Sequence, residues 1–93
     1  MDIYNDTTIL EEKKNLLKKS KISFGDVNLQ MINMINVARS NLEGKQMKLA
    51  EKTTLQSVKQ VKNIITNIDG MISFTDKLQE ALEIYLSSKF REV

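Results

Sequence analysis

The chain has no histidine, cysteine, proline or tryptophan. Without histidine or cysteine there is no Ser-His or Cys-His nucleophile pair, no zinc site of the usual ligand type, no disulfide framework and no thiol redox motif. Catalysis is therefore not expected, and no metal or cofactor is implied. Glycine is scarce too, at three residues, and the aromatics are three Phe and two Tyr. With so few helix breakers in 93 residues, almost nothing interrupts a helix along the chain. No stretch approaches the ~18 consecutive apolar residues of a membrane span. The acidic start, with Asp2 and Asp6, is unlike the basic region and apolar core of a cleavable signal peptide. The expected product is a cytoplasmic protein as made, with no stable membrane insertion, and export without a cleavable signal stays open.

Lysine, leucine, isoleucine, glutamate and glutamine fill the sequence, and they favour an all-α fold in a single domain spanning 1–93. The net charge is +2, too small by itself to argue for nucleic acid or membrane. Its distribution is uneven: 1–12 is acidic, 13–21 basic, 45–62 basic and 63–93 mildly acidic. Thr8 and Glu11 fit a capping box, which predicts a helix start near residue 8 and a flexible segment over 1–7. Ser23, Gly25 and Asp26 predict a break or kink within 20–26. Downstream, Phe24, Val27, Met31, Met34, Ala38 and Leu42 recur at steps of three and four, with Ile35 among the apolar residues beside them.

Gly44 is the strongest stop signal, since glycine takes the left-handed C-terminal position of a helix without steric cost. Beyond it, Leu55, Val58, Val61, Ile65, Ile68 and Ile72 form one apolar row, and Ile64, Met71, Leu78, Leu82 and Tyr85 form a second. One helix over 46–90 extends about 68 Å at ~1.5 Å per residue. Asp69-Gly70 is the weak joint in it, at 69–73, and with Ser73 and Asp76 able to cap a fresh helix there, a four-helix alternative stays open. The predicted architecture is an antiparallel helical hairpin turning near Gly44. A lone hairpin covers only one face of each helix, and small cores return little beyond the entropy of ordering the chain. Pairing with a second hairpin into a four-helix bundle is expected on that ground.

Met31, Met34, Ile35, Val58, Val61, Ile65, Ile68, Leu78, Leu82, Tyr85 and Phe90 are the candidate partner interface. Methionines repack easily around a partner, and aromatics such as Phe74, Tyr85 and Phe90 serve as anchors; core filling is the competing reading for each of them. The cluster of Lys13, Lys14, Lys18, Lys19 and Lys21 has the charge to meet phosphate. It lacks arginine and interleaved aromatics, and it reads more simply as a solvated face. Asp76, Glu80 and Glu83 share one helix face, again a solvent face in the simpler reading.

The tripeptide Leu42-Glu43-Gly44, close to the middle of a chain with two long amphipathic arms, resembles the W-x-G turn of the small ESAT-like helical hairpins of type VII secretion, with Leu42 in the place of tryptophan. The degenerate turn is most similar to the targeting partners of LXG-type toxins. That resemblance implies a non-catalytic protein that binds another small helical protein, as a hetero- or homodimer, and the helical N-terminal domain of a larger toxin. Two other functions stay open from the residues alone. One is nucleic-acid binding through Lys13 to Lys21 and Lys45 to Lys62, and the other is a helical-hairpin subunit of a different secretion apparatus.

Overall fold

A computed structural model describes the backbone of residues 3–91 and the side chains of residues 6–88. Two helices, α1 (Ile3–Asn41) and α2 (Gly44–Arg91), account for nearly all of it, and no strand occurs among the described residues. They pack against each other and nothing else, in a rod of 75 × 16 × 15 Å. The hairpin expected from the sequence is present.

The turn is short because its termination is chemically simple. The Leu42 amide donates to the Ala38 carbonyl at 2.7 Å, closing the last turn of α1. Leu42 and Glu43 lie between the two helices, and Gly44 enters α2 with φ of 61°, the one left-handed residue among those described. A side chain at that φ crowds its own carbonyl, so glycine belongs there. Leu42 is half-buried, while Glu43 and Gly44 are exposed.

Two sequence expectations are corrected, and one left open is resolved. α1 starts at Ile3, ahead of Thr8, and Asp6 lies in its first turn, where a carboxylate faces the positive end of the helix dipole. Thr8 is an internal helical residue. No break occurs within 20–26: Gly25 is helical, and the seam positions Lys21, Phe24 and Asn28 keep their spacing across it. Of the two alternatives for the second arm, the single helix is the one present: α2 runs unbroken through Asp69 and Gly70. A single glycine is a small penalty against long flanking turns that stay packed.

Most buried and half-buried side chains recur at alternating steps of three and four. In α1 this row is Thr7, Leu10, Lys14, Leu17, Lys21, Phe24, Asn28, Met31, Ile35 and Ala38, continued by Leu42 just past the helix end, with Asp6 and Gly25 half-buried beside it. In α2 it runs Met47, Glu51, Thr54, Val58, Val61, Ile65, Ile68, Ile72, Thr75, Gln79, Leu82 and Leu86, with Ala50 and Ser57 half-buried beside it. This is a heptad seam, the pattern of an antiparallel two-helix coiled coil. Val27 and Met34, expected on the packed face, are exposed instead. The steps of three and four allow two phases from Phe24, and the structure uses the phase that passes through Asn28 and Ile35.

The core is thin. Among the described residues, only Ile35, Val58 and Ile68 are buried apolar side chains, at 7, 5 and 5% exposure. The accessible surface is 7405 Å², against about 5500 Å² for a compact monomer of this mass. The radius of gyration, 21.2 Å, compares with about 12 Å for a globular chain of this length.

Candidate protein–protein interface

Antiparallel pairing places corresponding flanks of the two helices on the same edge of the hairpin, and the two edges differ in chemistry. Along the first edge, α1 presents Glu11, Lys18, Ile22, Gly25, Leu29, Ile32 and Arg39, and α2 presents Lys48, Lys52, Leu55, Lys59, Lys62, Asp69, Asp76, Glu80 and Glu83. Ion pairs cross the seam here. Lys14 Nζ lies 2.9 Å from Asp76 Oδ1, Lys21 Nζ 2.7 Å from Asp69 Oδ1, and Arg39 Nε 3.0 Å from Glu51 Oε1.

Lys14 is the most enclosed of these charges. Its ammonium donates to Asp76 Oδ1 and to Gln79 Oε1, each at 2.9 Å, and pairs with Glu11 Oε2 at 3.0 Å. Gln79 Nε2 donates in turn to the same Glu11 oxygen at 2.8 Å. Three N–H donors thus meet three acceptors. The hydrogen bond from Gln79, then that from Lys14, holds the Glu11 carboxyl below its ordinary value. The bond to Asp76, then that to Glu11, holds the Lys14 ammonium above its own. Further along, the buried Asn28 donates from Nδ2 to the Val58 carbonyl at 3.3 Å, and its Oδ1 has no hydrogen-bond partner.

The opposite edge carries almost no charge. On α2 it reads Ser57, Gln60, Ile64, Asn67, Met71, Phe74, Leu78, Ala81, Tyr85 and Ser88, a row of helical steps without one ionisable group other than the tyrosine hydroxyl. Ile64, Met71, Phe74, Leu78 and Tyr85 are all exposed, Phe74 at 67%. On α1 the matching row holds Ile9, Lys13, Leu16, Val27, Met34 and Val37, all exposed. Two shallow dents mark this side of α1. One, of about 290 Å³, lies beside Leu16, Phe24 and Val27; the other, of about 400 Å³, lies beside Met34 and Val37. Neighbouring apolar side chains over such a length are unusual on a soluble monomer and mark contact surfaces.

The sequence-derived interface set divides between seam and surface. Met31, Ile35, Val58, Val61, Ile65, Ile68 and Leu82 lie in the seam and pack within the hairpin. Met34, Leu78 and Tyr85 are exposed on the uncharged edge. The side chain of Phe90 lies outside the described residues. Ile64, Met71 and Phe74 complete the exposed row, and they were recoverable from sequence: an uninterrupted run without charge at steps of three and four from Ser57 to Ser88 is the signal.

The lysine cluster also divides. Lys14 and Lys21 turn into the seam and are ion-paired, whereas Lys13, Lys18 and Lys19 are exposed. A phosphate-binding face would have all five available. Asp76 is engaged by Lys14, while Glu80 and Glu83 face solvent. Among the described residues no group of acidic side chains is arranged to hold a metal ion, and no helix is long and apolar enough to cross a membrane. Comparison with known proteins finds no family model, no curated protein and no solved structure that matches this chain.

Proposed function

We propose that this chain is a non-catalytic helical partner protein, whose uncharged edge packs against another helical protein to complete a four-helix arrangement. The observation that carries the reading is the exposed row Ile64, Met71, Phe74, Leu78 and Tyr85 on α2, beside a seam that buries, among the described residues, only three apolar side chains. The surface in excess of a compact monomer, about 1900 Å², is more than the ~800 Å² per partner that a standard interface takes. The Leu42-Glu43-Gly44 turn adds the resemblance to type VII secretion hairpins. On that basis the partners are a second small helical protein and the helical N-terminal domain of an LXG-type toxin bound for export, for which the chain acts as a targeting factor.

The test is native mass spectrometry of the chain alone and after co-expression with the small helical proteins and toxin encoded beside it. A defined complex that is lost in Met71→Glu/Leu78→Glu, with helix content retained by circular dichroism, supports the proposal. A cooperatively melting monomer that forms no complex with any of them overturns it.

A further inference from the structure

The charged edge is sorted by sign along α2. Lys45, Lys48, Lys52, Lys59 and Lys62 fall in one exposed row at steps of three and four, with Leu55 between Lys52 and Lys59. Asp69, Asp76, Glu80 and Glu83 continue that row toward the open end, with Ser73 among them. Neither the five lysines nor Glu80 and Glu83 are ion-paired among the described residues. Asp69 and Asp76 each engage Oδ1, with Lys21 and Lys14, and a carboxylate has further lone pairs to offer.

A row with one sign in each half has its complement in its own reverse. In an antiparallel pairing of two copies centred at position 64, Lys45 faces the partner's Glu83 and Lys48 the partner's Glu80. Lys52 faces the partner's Asp76 and Lys59 the partner's Asp69, and symmetry repeats every pair. Lys62 then faces the partner's Thr66, so no like charges meet along the row. Sliding the copies by one heptad keeps two of the four opposite-charge matches in either direction, and in one of them sets Lys59 against the partner's Lys62. A parallel pairing in register sets lysine against lysine through the basic half. Exposed ion pairs add little affinity one by one, but their pattern fixes direction and register.

Gly25 marks the same centre independently. The cross-seam pairs Lys14–Asp76, Lys21–Asp69 and Arg39–Glu51 keep one register along the hairpin, and in it position 64 of α2 is level with Gly25 to within about one residue, or ~1.5 Å. Gly25 has no positive φ, and a Cβ placed on it meets nothing within 4 Å. Nothing inside the hairpin calls for glycine there, although glycine is the poorer choice in a helix interior. A residue on a two-fold axis meets its own copy, and glycine on the axis lets two α1 helices approach closely. About that centre Ile22 faces the partner's Leu29, and Glu11 faces the partner's Arg39. The exposed Ile22, Leu29, Ile32 and Leu55 supply the apolar area that ion pairs do not. The centre lies about 5 Å from the midpoint of α2, so two 75 Å rods overlap over nearly their whole length. The excess surface of about 1900 Å² provides for a standard interface, ~800 Å² per partner, on each edge.

We propose that the charged edge is a two-fold interface between two antiparallel copies of this chain, with Gly25 on the axis. The contact goes beyond the partner-binding reading and uses the edge which that reading leaves free, so a chain engaged on both edges forms a two-to-two assembly.

The test is sedimentation of the full chain alone over a concentration series, with helix content of every variant checked by circular dichroism. A dimer that weakens with added salt is expected. Lys45→Glu/Lys48→Glu and Glu80→Lys/Glu83→Lys, at exposed positions unpaired within the hairpin, each weaken it roughly tenfold or more, and an equimolar mixture of the two variants regains the parent's affinity as a mixed dimer. Gly25→Glu, which sets a carboxylate against its own copy, weakens the dimer as well. Met71→Glu/Leu78→Glu, on the other edge, dimerises as the parent does. A chain that stays monomeric up to about 0.1 mM overturns the proposal, as does a mixture of the two charge-reversed variants that fails to associate. Full dimerisation of Gly25→Glu refutes the axis. Self-association lost in Met71→Glu/Leu78→Glu and kept in the charge reversals assigns it to the uncharged edge and is equally fatal. Partner capture through the uncharged edge is read separately, by native mass spectrometry of the co-expressed proteins, and stands or falls on its own result.

Discussion

A lysine at a seam position where two helices usually meet through leucine must find acceptors for each of its protons, and Lys14 does so through Asp76, Gln79 and Glu11. The same cluster makes stability depend on pH at both ends of the scale. Glu11 is held below the ordinary carboxylate value by Gln79 and Lys14. Its contribution is complete above that ordinary value and lost as pH falls through the lowered one. Lys14 is held above its ordinary value by Asp76 and Glu11, so its contribution is complete below that value and lost only as strong alkali passes the raised one. Thermal melts from neutral to acidic pH should show Tm falling below the ordinary glutamate range, and Gln79→Leu, which removes the leading cause of the Glu11 shift, should shrink that fall. The glycines separate in the same experiments. Gly44→Ala should cost about 1 kcal/mol because of its φ of 61°. Gly25→Ala, with open space around its Cβ, should stabilise by about 0.5–1 kcal/mol; urea denaturation at neutral pH checks both.

At the scale of the helix, the seam shows what the sequence made readable. The all-helical hairpin, the turn at Gly44 and the row Val58, Val61, Ile65, Ile68 and Ile72 follow from spacing, since each has apolar side chains at the packed positions. The phase of α1 does not. Its packed positions include Lys14, Lys21 and Asn28, and a reading that seeks apolar residues slides to Val27 and Met34 instead. Gly25 and Gly70 mislead for a related reason: local propensity points to a break, while packing over many turns outweighs it. Polar seam residues fix register at a cost in stability. Asn28, with an unpartnered buried Oδ1, is the strongest instance. Asn28→Leu should raise Tm while broadening the distribution of assembly states in sedimentation, and an unchanged single species would leave Asn28 without a role in register. Ile68→Ala, at a buried apolar position, should instead destabilise by about 2 kcal/mol, measured by urea unfolding of the unpartnered chain.

The whole molecule is a rod with two chemically distinct edges, one laced by ion pairs and one uncharged and apolar. A rod one helix pair thick has no interior beyond its seam, so a partner laid along either edge adds a third wall to a core that begins with two. Small-angle scattering of the free monomer should return a radius of gyration near 21.2 Å, and binding along an edge should thicken the particle without lengthening it. The seam is also uneven along its length. Toward the open end it mixes Lys14, Lys21, Thr75 and Gln79 with Leu10, Leu17, Leu82 and Leu86, and toward its middle it passes through Phe24, Val61, Ile65 and the buried Ile68. Because each helix has only one neighbour, opening at one level exposes that level to water at once. Amide hydrogen exchange should therefore run as a gradient, slowest around Ile65 and Ile68 and fastest toward the open end, so that the hairpin frays by degrees and a partner arriving there meets arms that have already begun to part.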